Sequence, residues 1–541
     1  MSKFEYRLPR GTRDFPPEDM VKRNYVEKVV RGVFERYGFQ EVQTPIFETF
    51  ALFALRSGDE IRSKMFVFPI DEGEMTLRPE LTAPVCRMLA LGEFDLSKKP
   101  LRLYYIGQCY RYEEPQAARF REFWQAGAEL MGSPYPEADA EVIAMAVQTA
   151  RELGIENHEV KVGNIEILRG FLEDSGIPEE IRNRLIGPLD IISSSIDKLR
   201  TYENRLRNRK PLAEEDLSDL ARRADRVRMW KEEEDRKITA GESSIPASLR
   251  EKLKTDSRFY RIKSLYKEKA IKELMDFIEA TVNETKWIQK TTWIHYGIKI
   301  EGTGGESKVE IPEKVADTLL QMIDLFGEKD ETLNKAKRLF FDSPRALKAI
   351  ENFKITLDLL PEFGVERFIT DLSVARGLEF YTGTVFEIDC PLLGAEKQIC
   401  GGGRYDNLVY EFGGPRTPAT GFAIGFDRLV LSAEKSGFSF PSAVRVEVYL
   451  IPIGEDILGY AASILQKMRD AGIKAEMDML RQKTKESLSF ASKMSVPYVI
   501  LVGHEEKKDG VVSLRNMETK QQVRLSLDNA IEIITRAQQN S

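Results

Sequence analysis

At 541 residues the chain is too long for a single hydrophobic core, and its length alone predicts about three or four domains. Its residues are 42% hydrophobic and 31% charged with no apolar run of about 18, a soluble composition that excludes a membrane-spanning helix. A net charge of −7 excludes a protein that is basic throughout, but leaves room for a local cationic face that attracts phosphates.

The first residues, MSKFEYRLPRG, have charges but no apolar stretch or small-residue cleavage site, so no secretory signal is expected. Val21, Tyr25, Val29, Val33 and Phe34 then recur at helical spacing until Gly38. FQEVQTPIFE follows as a strand ended by Pro45, and MFVFPIDEGEMTLRPE reads as a hairpin around DEG. LRLYYIGQCYRYE and REFWQAGAELMG are two strands joined by the polar loop EPQAAR. PEADAEVIAMAVQTAREL is an amphipathic helix that begins on proline, where a missing N–H is tolerated. An antiparallel sheet with flanking helices, an α+β fold, is the expected result.

Between 165 and 355 the pattern changes to long charged helices, read as an inserted, mostly helical module. Within it, 198–273 holds 22 Lys/Arg against 15 Asp/Glu, a surplus of +7 that suits either a solvated helical face or an RNA contact. The strand rhythm resumes over 356–441 with ARGLEFYTGTVFEI, the turn-rich QICGGGRYDN and a helix start in PATGFAIGFDRL. Past Pro441, strands alternate with single helices, which predicts a separate α/β domain over 442–541.

Four cysteines, Cys86, Cys109, Cys390 and Cys400, have no paired spacing, and there are three histidines, His158, His295 and His504. Neither a zinc site nor a disulfide framework is expected, and a reducing compartment fits. Chemistry is concentrated elsewhere. RYEEPQAARFREFWQ brings Arg111, Glu113, Arg119 and Arg121 around one loop, where guanidinium groups can clamp an anion by paired hydrogen bonds. Arg376, Glu379 and Tyr381 stand at the entrance of a strand. Arg428 follows Gly421 and Gly425, glycines that let a ligand approach the backbone. The glycine run at 401–403 lacks phosphate-loop spacing and reads as a bend.

The order of these segments resembles the three signature motifs of class II aminoacyl-tRNA synthetases. Within that class, GTRDF (11–15), TLRPELTAP (76–84), RYEEPQAARFREFWQAGAELMG (111–132), ARGLEFYTGTVFE (375–387), GGGRYDNL (401–408) and ATGFAIGFDRL (419–429) resemble histidyl-tRNA synthetases. The likeness covers roughly 1–165 and 356–541. It implies a catalytic domain in two parts, 1–164 and 356–441, around the 165–355 insertion. It further implies an anticodon-binding domain at 442–541, a homodimer, a cytoplasmic location, and tRNA, histidine and ATP as partners with no membrane. Magnesium would be bound mainly through ATP, with no metal held by the protein itself.

The same resemblance implies roles for single residues. Arg111 and Arg376 would be the catalytic cations at the α-phosphate, with Arg376 taking the part that a metal ion plays in related enzymes. Glu113, Arg119, Phe123 and Arg428 would complete the ATP site. Glu80, Thr82 and Gln125 would bind the substrate ammonium. Glu129 and Tyr381 would read the imidazole, whose one N–H and one bare nitrogen call for an acceptor and a donor. Tyr405 would close the pocket wall, with ordinary core packing as its other reading, and Gln116 would meet the tRNA acceptor end.

Three positions depart from the common pattern. Glu114 stands where many bacterial members have Arg, Phe380 replaces a Tyr, and Trp124 replaces a His in a way that suggests an archaeal-like lineage. The rival reading is a non-catalytic histidine-binding relative, the regulatory subunit of ATP phosphoribosyltransferase. That relative normally lacks the last domain.

Overall fold

The computed structural model describes residues 7–54, 64–71, 73–114, 119–208, 211–212, 216–217, 219–220, 222–223, 271–296, 298–302, 305–374, 380–441 and 446–539. Gln116, Arg376, Glu379 and most of the basic stretch 198–273 lie outside the described residues. The chain divides into two compact units, Met1–Ser439 and Phe440–Ser541.

The strands of the first unit are β1 (Gln40–Glu41), β2 (Phe47–Thr49), β3 (Val67–Ile70), β4 (Gly73–Leu77), β5 (Leu101–Tyr110), β6 (Glu122–Met131), β7 (Glu159–Asn164), β8 (Ile298–Gly302), β9 (Gly305–Val309), β10 (Phe326–Gly327), β11 (Ile369–Asp371), β12 (Thr384–Asp389), β13 (Gln398–Arg404) and β14 (Ala419–Gly425). Nine of them form one sheet in the order β1-β5-β6-β14-β13-β12-β7-β11-β10. Its centre is antiparallel, and only the β1–β5 and β7–β11 pairs are parallel. Segments distant in sequence thus become neighbours, since β6 pairs with β14.

Helix Pro136–Glu152 lies on this sheet. Its buried Ala138, Ala140, Ala144, Ala146 and Ala150 have side chains small enough for the helix to approach the strands closely. Helices Ile165–Asp174 and Pro344–Glu362 pack on one another, and the second also packs on Pro136–Glu152. Asn164 and Ser343 cap them, accepting the N–H groups of Glu166 at 2.9 Å and Ala346 at 3.3 Å. Farther along, helices Glu179–Arg207 and Ile271–Thr291 share a core of Leu199, Tyr202, Leu206, Leu274 and Ile278. The two-stranded β8–β9 hairpin interrupts the otherwise helical character expected there.

Two local expectations are corrected. FQEVQTPIFE is not one strand: β1 joins the large sheet, while β2 joins the small sheet β2-β4-β3. The break falls at Thr44 and Pro45, whose carbonyls accept Arg78 Nη1 at 2.7 and 3.0 Å, so they are satisfied without a strand partner. The run Gly401–Gly403 is not a bend but the middle of β13. A Cβ at Gly402 would lie 2.2 Å from the Gly421 carbonyl oxygen, and one at Gly403 would lie 2.6 Å from that of Thr384. Glycine is needed for close approach within the sheet.

In the second unit, β15 (Val448–Pro452), β16 (Ala475–Met477), β17 (Tyr498–Val502), β18 (Val512–Asn516) and β19 (Gln522–Leu525) form a sheet in the order β16-β15-β17-β18-β19. The strands' period of two feeds two cores. Val448, Leu450, Ile500 and Val502 face helices Leu458–Asp470 and Leu527–Gln539, while Tyr449, Ile451, Val499 and Leu501 face helix Thr484–Lys493. Both faces are therefore covered, as in an α/β domain.

Candidate active site

Strands β6, β12, β13 and β14, the loop between β5 and β6, the segment before helix Thr82–Ala90 and the start of helix Phe426–Lys435 surround one cavity of about 390 Å³. Glu80, Thr82, Arg111, Glu113, Arg119, Phe123, Gln125, Glu129, Tyr381, Tyr405 and Arg428 all line it, whereas Arg121, read with Arg111 and Arg119 as an anion clamp, does not: its Nε donates to the Glu113 carbonyl at 3.1 Å and its guanidinium lies 3.9 Å from the Tyr112 ring centroid. The remaining two, Gln116 and Arg376, are outside the described residues.

One half is built from acids and hydroxyls. Glu129 is fully buried; its Oε1 accepts Thr82 Oγ1 at 2.8 Å and the Tyr105 hydroxyl at 3.0 Å, and its Oε2 accepts the Tyr405 hydroxyl. Burial pushes its carboxyl up to about 7, while the hydroxyls of Tyr405, Thr82 and Tyr105 pull the other way. Glu80 is also held above the usual carboxylate range by burial, against the pull of the Ala83 and Thr82 N–H groups and the field of Arg111. Those N–H groups donate to it at 3.1 and 2.5 Å, which places the carboxylate at the N-terminus of helix Thr82–Ala90. Cys109 Sγ donates to Gln125 Oε1 at 3.2 Å. Phe380 packs between Tyr381 and Tyr405, with ring centroids 4.9 and 5.7 Å away, so the hydroxyl missing at this position is replaced by ring packing.

The other half is cationic. Arg111 Nε donates to the Pro79 carbonyl at 3.0 Å, and its guanidinium lies 5.3 Å from the Phe123 ring centroid. Glu113 pairs closely with Arg119 and has Lys64 at 3.4 Å. Burial alone would raise the Glu113 carboxyl, but Arg119, Arg111 and Lys64 together hold it below its ordinary range. Arg428 Nη1 donates to the Gln398 carbonyl at 2.8 Å. A pocket lined by a buried carboxylate with its phenols and by the four cations Lys64, Arg111, Arg119 and Arg428 can take a ligand that joins a nitrogen heterocycle to an anion.

Lys64, Phe120, Trp124, Glu387, Gln398, Cys400 and Asp427 also line the cavity, although sequence reasoning gave none of them a role. Tyr105 was missed as well. Its signal was faint: it sits on the same face of β5 and β6 as Glu129, opposite Gly127, where a Cβ would lie 2.5 Å from its hydroxyl. Gly421, read as a point of ligand approach, lines the cavity and also makes room for the protein's own Glu129, since a Cβ there would lie 1.7 Å from Oε2. Glu114 pairs with Arg10 at the surface, so its negative charge has a cationic neighbour.

A protein-family model described as histidyl-tRNA synthetase matches residues 11–232 and 241–429, and an anticodon binding domain model matches 447–537. The histidine--tRNA ligase of Methanococcus maripaludis strain C7 is 33% identical over 532 residues, covering 98% of this chain and 99% of its own. That of Thermococcus kodakarensis is 34% identical over 529 residues, covering 97% of each. Among solved structures, the histidyl-tRNA synthetase of Nostoc sp. PCC 7120 superimposes with a TM-score of 0.62 at 19% identity, covering 99% of this chain and all of that one, a likeness of fold. Taken with the motif order and the single cavity that gathers those motifs, these matches mean that the chain belongs to the histidyl-tRNA synthetase family.

Proposed function

We propose that the chain ligates histidine to its tRNA in two steps. A histidine carboxylate oxygen bonds to the α-phosphorus of ATP, and the bond to the β-phosphate oxygen breaks to release pyrophosphate. A terminal ribose hydroxyl of the tRNA then takes the histidyl group, and AMP leaves. Both steps regroup negative charge, so positioned cations and donors supply most of the stabilisation. The observation that carries this reading is one cavity lined both by a buried acid with its phenols and by a group of cations, in a chain of this family.

In this reading Arg111 holds the α-phosphate, with Arg376 approaching from the opposite side. Phe123 stacks on adenine, Glu113 meets its amino edge, and Arg428 and Arg119 take the γ-phosphate. Glu80, Thr82 and Gln125 hold the ammonium. Glu129, with three hydroxyls on its roughly four lone-pair positions, keeps room for the imidazole N–H, while Tyr381 donates to the bare nitrogen. A different amino acid leaves these groups unpaired, which is the basis of selectivity. Magnesium enters on the triphosphate and neutralises it. The donor set fits an ion held mainly by phosphate oxygens, because Glu113 at the cationic end is already paired with Arg119 and Lys64.

The chain works as a cytoplasmic homodimer. The 165–355 segment serves as the insertion between catalytic parts 1–164 and 356–441, and 442–541 as the anticodon-binding domain, Gln116 lying toward the tRNA acceptor end. This division is one of roles, since helices Ile165–Asp174 and Pro344–Glu362 pack within the first unit. Histidine-dependent exchange of labelled pyrophosphate into ATP tests the activity. No exchange would point to the regulatory relative, and exchange driven by another amino acid to a different synthetase. Size-exclusion chromatography with light scattering tests the dimer.

A further inference from the structure

The GTRDF stretch at 11–15 has no lining side chain in the cavity, yet it braces the wall at two places. Gly11, at φ +85°, accepts the Arg121 N–H on its carbonyl at 2.8 Å, and a Cβ there would lie 2.7 Å from Arg121 Cγ. The Arg13 guanidinium lies between two rings, 4.4 Å from the Phe15 centroid and 4.5 Å from that of Phe120, which lines the cavity. Its Nη2 donates to Asp427 Oδ1 at 3.0 Å. Arg23 Nη1 donates to the same oxygen at 2.5 Å, and Asp427 Oδ2 accepts the Trp124 N–H at 2.9 Å.

Asp427 is therefore a buried carboxylate tied to three separate segments, and its neighbour Arg428 lines the cavity among the cations. Burying an ion this way requires that its charge stay compensated. By contrast, the hydrogen bonds that set Glu129 come from Thr82, Tyr105 and Tyr405, residues of other segments.

We infer that Arg13 is a positioning residue for the nucleotide half of the cavity: stacked on Phe120 and paired with Asp427, it sets the start of helix Phe426–Lys435 and the direction in which Arg428 leaves it. The inference rests on the reading that this half takes ATP. The side chain of Arg13 is 41% exposed, and Arg23 still pairs with Asp427 when Arg13 is replaced, so the buried carboxylate keeps a counter-charge.

The test is pyrophosphate exchange by the full chain carrying Arg13→Ala or Arg13→Lys, with KM measured separately for ATP and histidine. Arg13→Ala should raise KM for ATP about tenfold, with KM for histidine within about twofold of the unmodified chain. Arg13→Lys, which restores the charge but not the planar stack, should fall between the two. An unchanged KM for ATP, or an equal rise in both constants with a fall in melting temperature, overturns the inference and makes the contact a stabilising strap only. Absence of exchange in the unmodified chain instead removes the assignment of the cavity, and this inference with it.

Discussion

Gly421 on β14 lies directly opposite Glu129 on β6, and the space its missing side chain leaves is filled by the Glu129 carboxylate. A Cβ at 421 would come within 1.7 Å of Oε2 and 2.5 Å of the Ala128 carbonyl oxygen, and the latter, being backbone within the sheet, cannot give way. Gly421→Ala must therefore displace Glu129 or spread the strands. It should lower histidine-dependent exchange at least about 100-fold and cost about 1–3 kcal/mol of stability, as overpacked cores do. Urea unfolding and exchange measured together check this; near-normal activity in the variant would show that Glu129 is not held where the ligand needs it.

The charge state of Glu129 gives the second prediction. Its carboxyl is raised from 4.5 to about 7, so between those values the folded chain keeps a proton that the unfolded chain releases. Stability contributed by this group is thus full below about pH 4.5 and is lost as pH rises toward 7, a change on the order of 3 kcal/mol. Glu129→Gln stays neutral throughout and should flatten that part of the pH dependence, with melting temperatures of the two proteins diverging across the window. The same variant should bind histidine poorly at pH 8, where the ionised carboxylate would otherwise accept the imidazole N–H. Parallel melting curves from pH 5 to 8 would mean that Glu129 ionises as an ordinary carboxyl.

What could be read from the sequence was what depends on neighbours in the chain. The β3–β4 and β5–β6 pairs, the helix starting at Pro136 and the strand-helix alternation after Pro441 follow from period and turn residues, and they fall where expected. The gathering of Glu80, Arg111, Glu129, Tyr405 and Arg428 around one cavity was legible through their motifs. Tertiary purpose was not. Arg78 looks like a surface cation in TLRPE until its carbonyl partners on Thr44 and Gln108 are known. Glycines 401–403 have low strand propensity, so sequence favours a bend, and only the close approach of β14 to Gly402 and of β12 to Gly403 explains why glycines stand in a strand here. Asp427 gains meaning from Arg13, 414 positions away, a separation at which local pattern carries no information.

Arg404, at the end of the same glycine run, supplies the third prediction. It is buried and holds Asp139 through Nε at 3.1 Å and Nη2 at 3.0 Å, while donating to the carbonyls of Ser133 and Tyr135 at 2.9 and 3.1 Å. Arg404→Ala leaves the Asp139 carboxylate buried without its counter-charge and should cost about 3–5 kcal/mol. Arg404→Met combined with Asp139→Leu removes both charges and should cost less than Arg404→Ala alone. A double variant as unstable as the single would show that the carbonyl contacts, not the charge pair, dominate. Guanidinium unfolding monitored by tryptophan fluorescence distinguishes the two.

Arg111 gives the last prediction, because its geometry uses the guanidinium plane as well as its charge. Nε is fixed by the Pro79 carbonyl, and the plane lies over Phe123, so the remaining N–H groups have a set direction into the cavity. A lysine at 111 keeps one positive charge but has no Nε–H for Pro79 and no fork for two phosphate oxygens. If Arg111 acts on charge that develops as the α-phosphorus is attacked, Arg111→Lys should lower kcat about 100-fold to 1,000-fold while KM for histidine changes little. Melting temperature should move by only about 2 °C, since the side chain is not part of the hydrophobic core. Single-turnover formation of the histidyl-adenylate is the measurement that isolates this step. A variant impaired only in the later transfer to tRNA would move Arg111 from the first chemical step to the second.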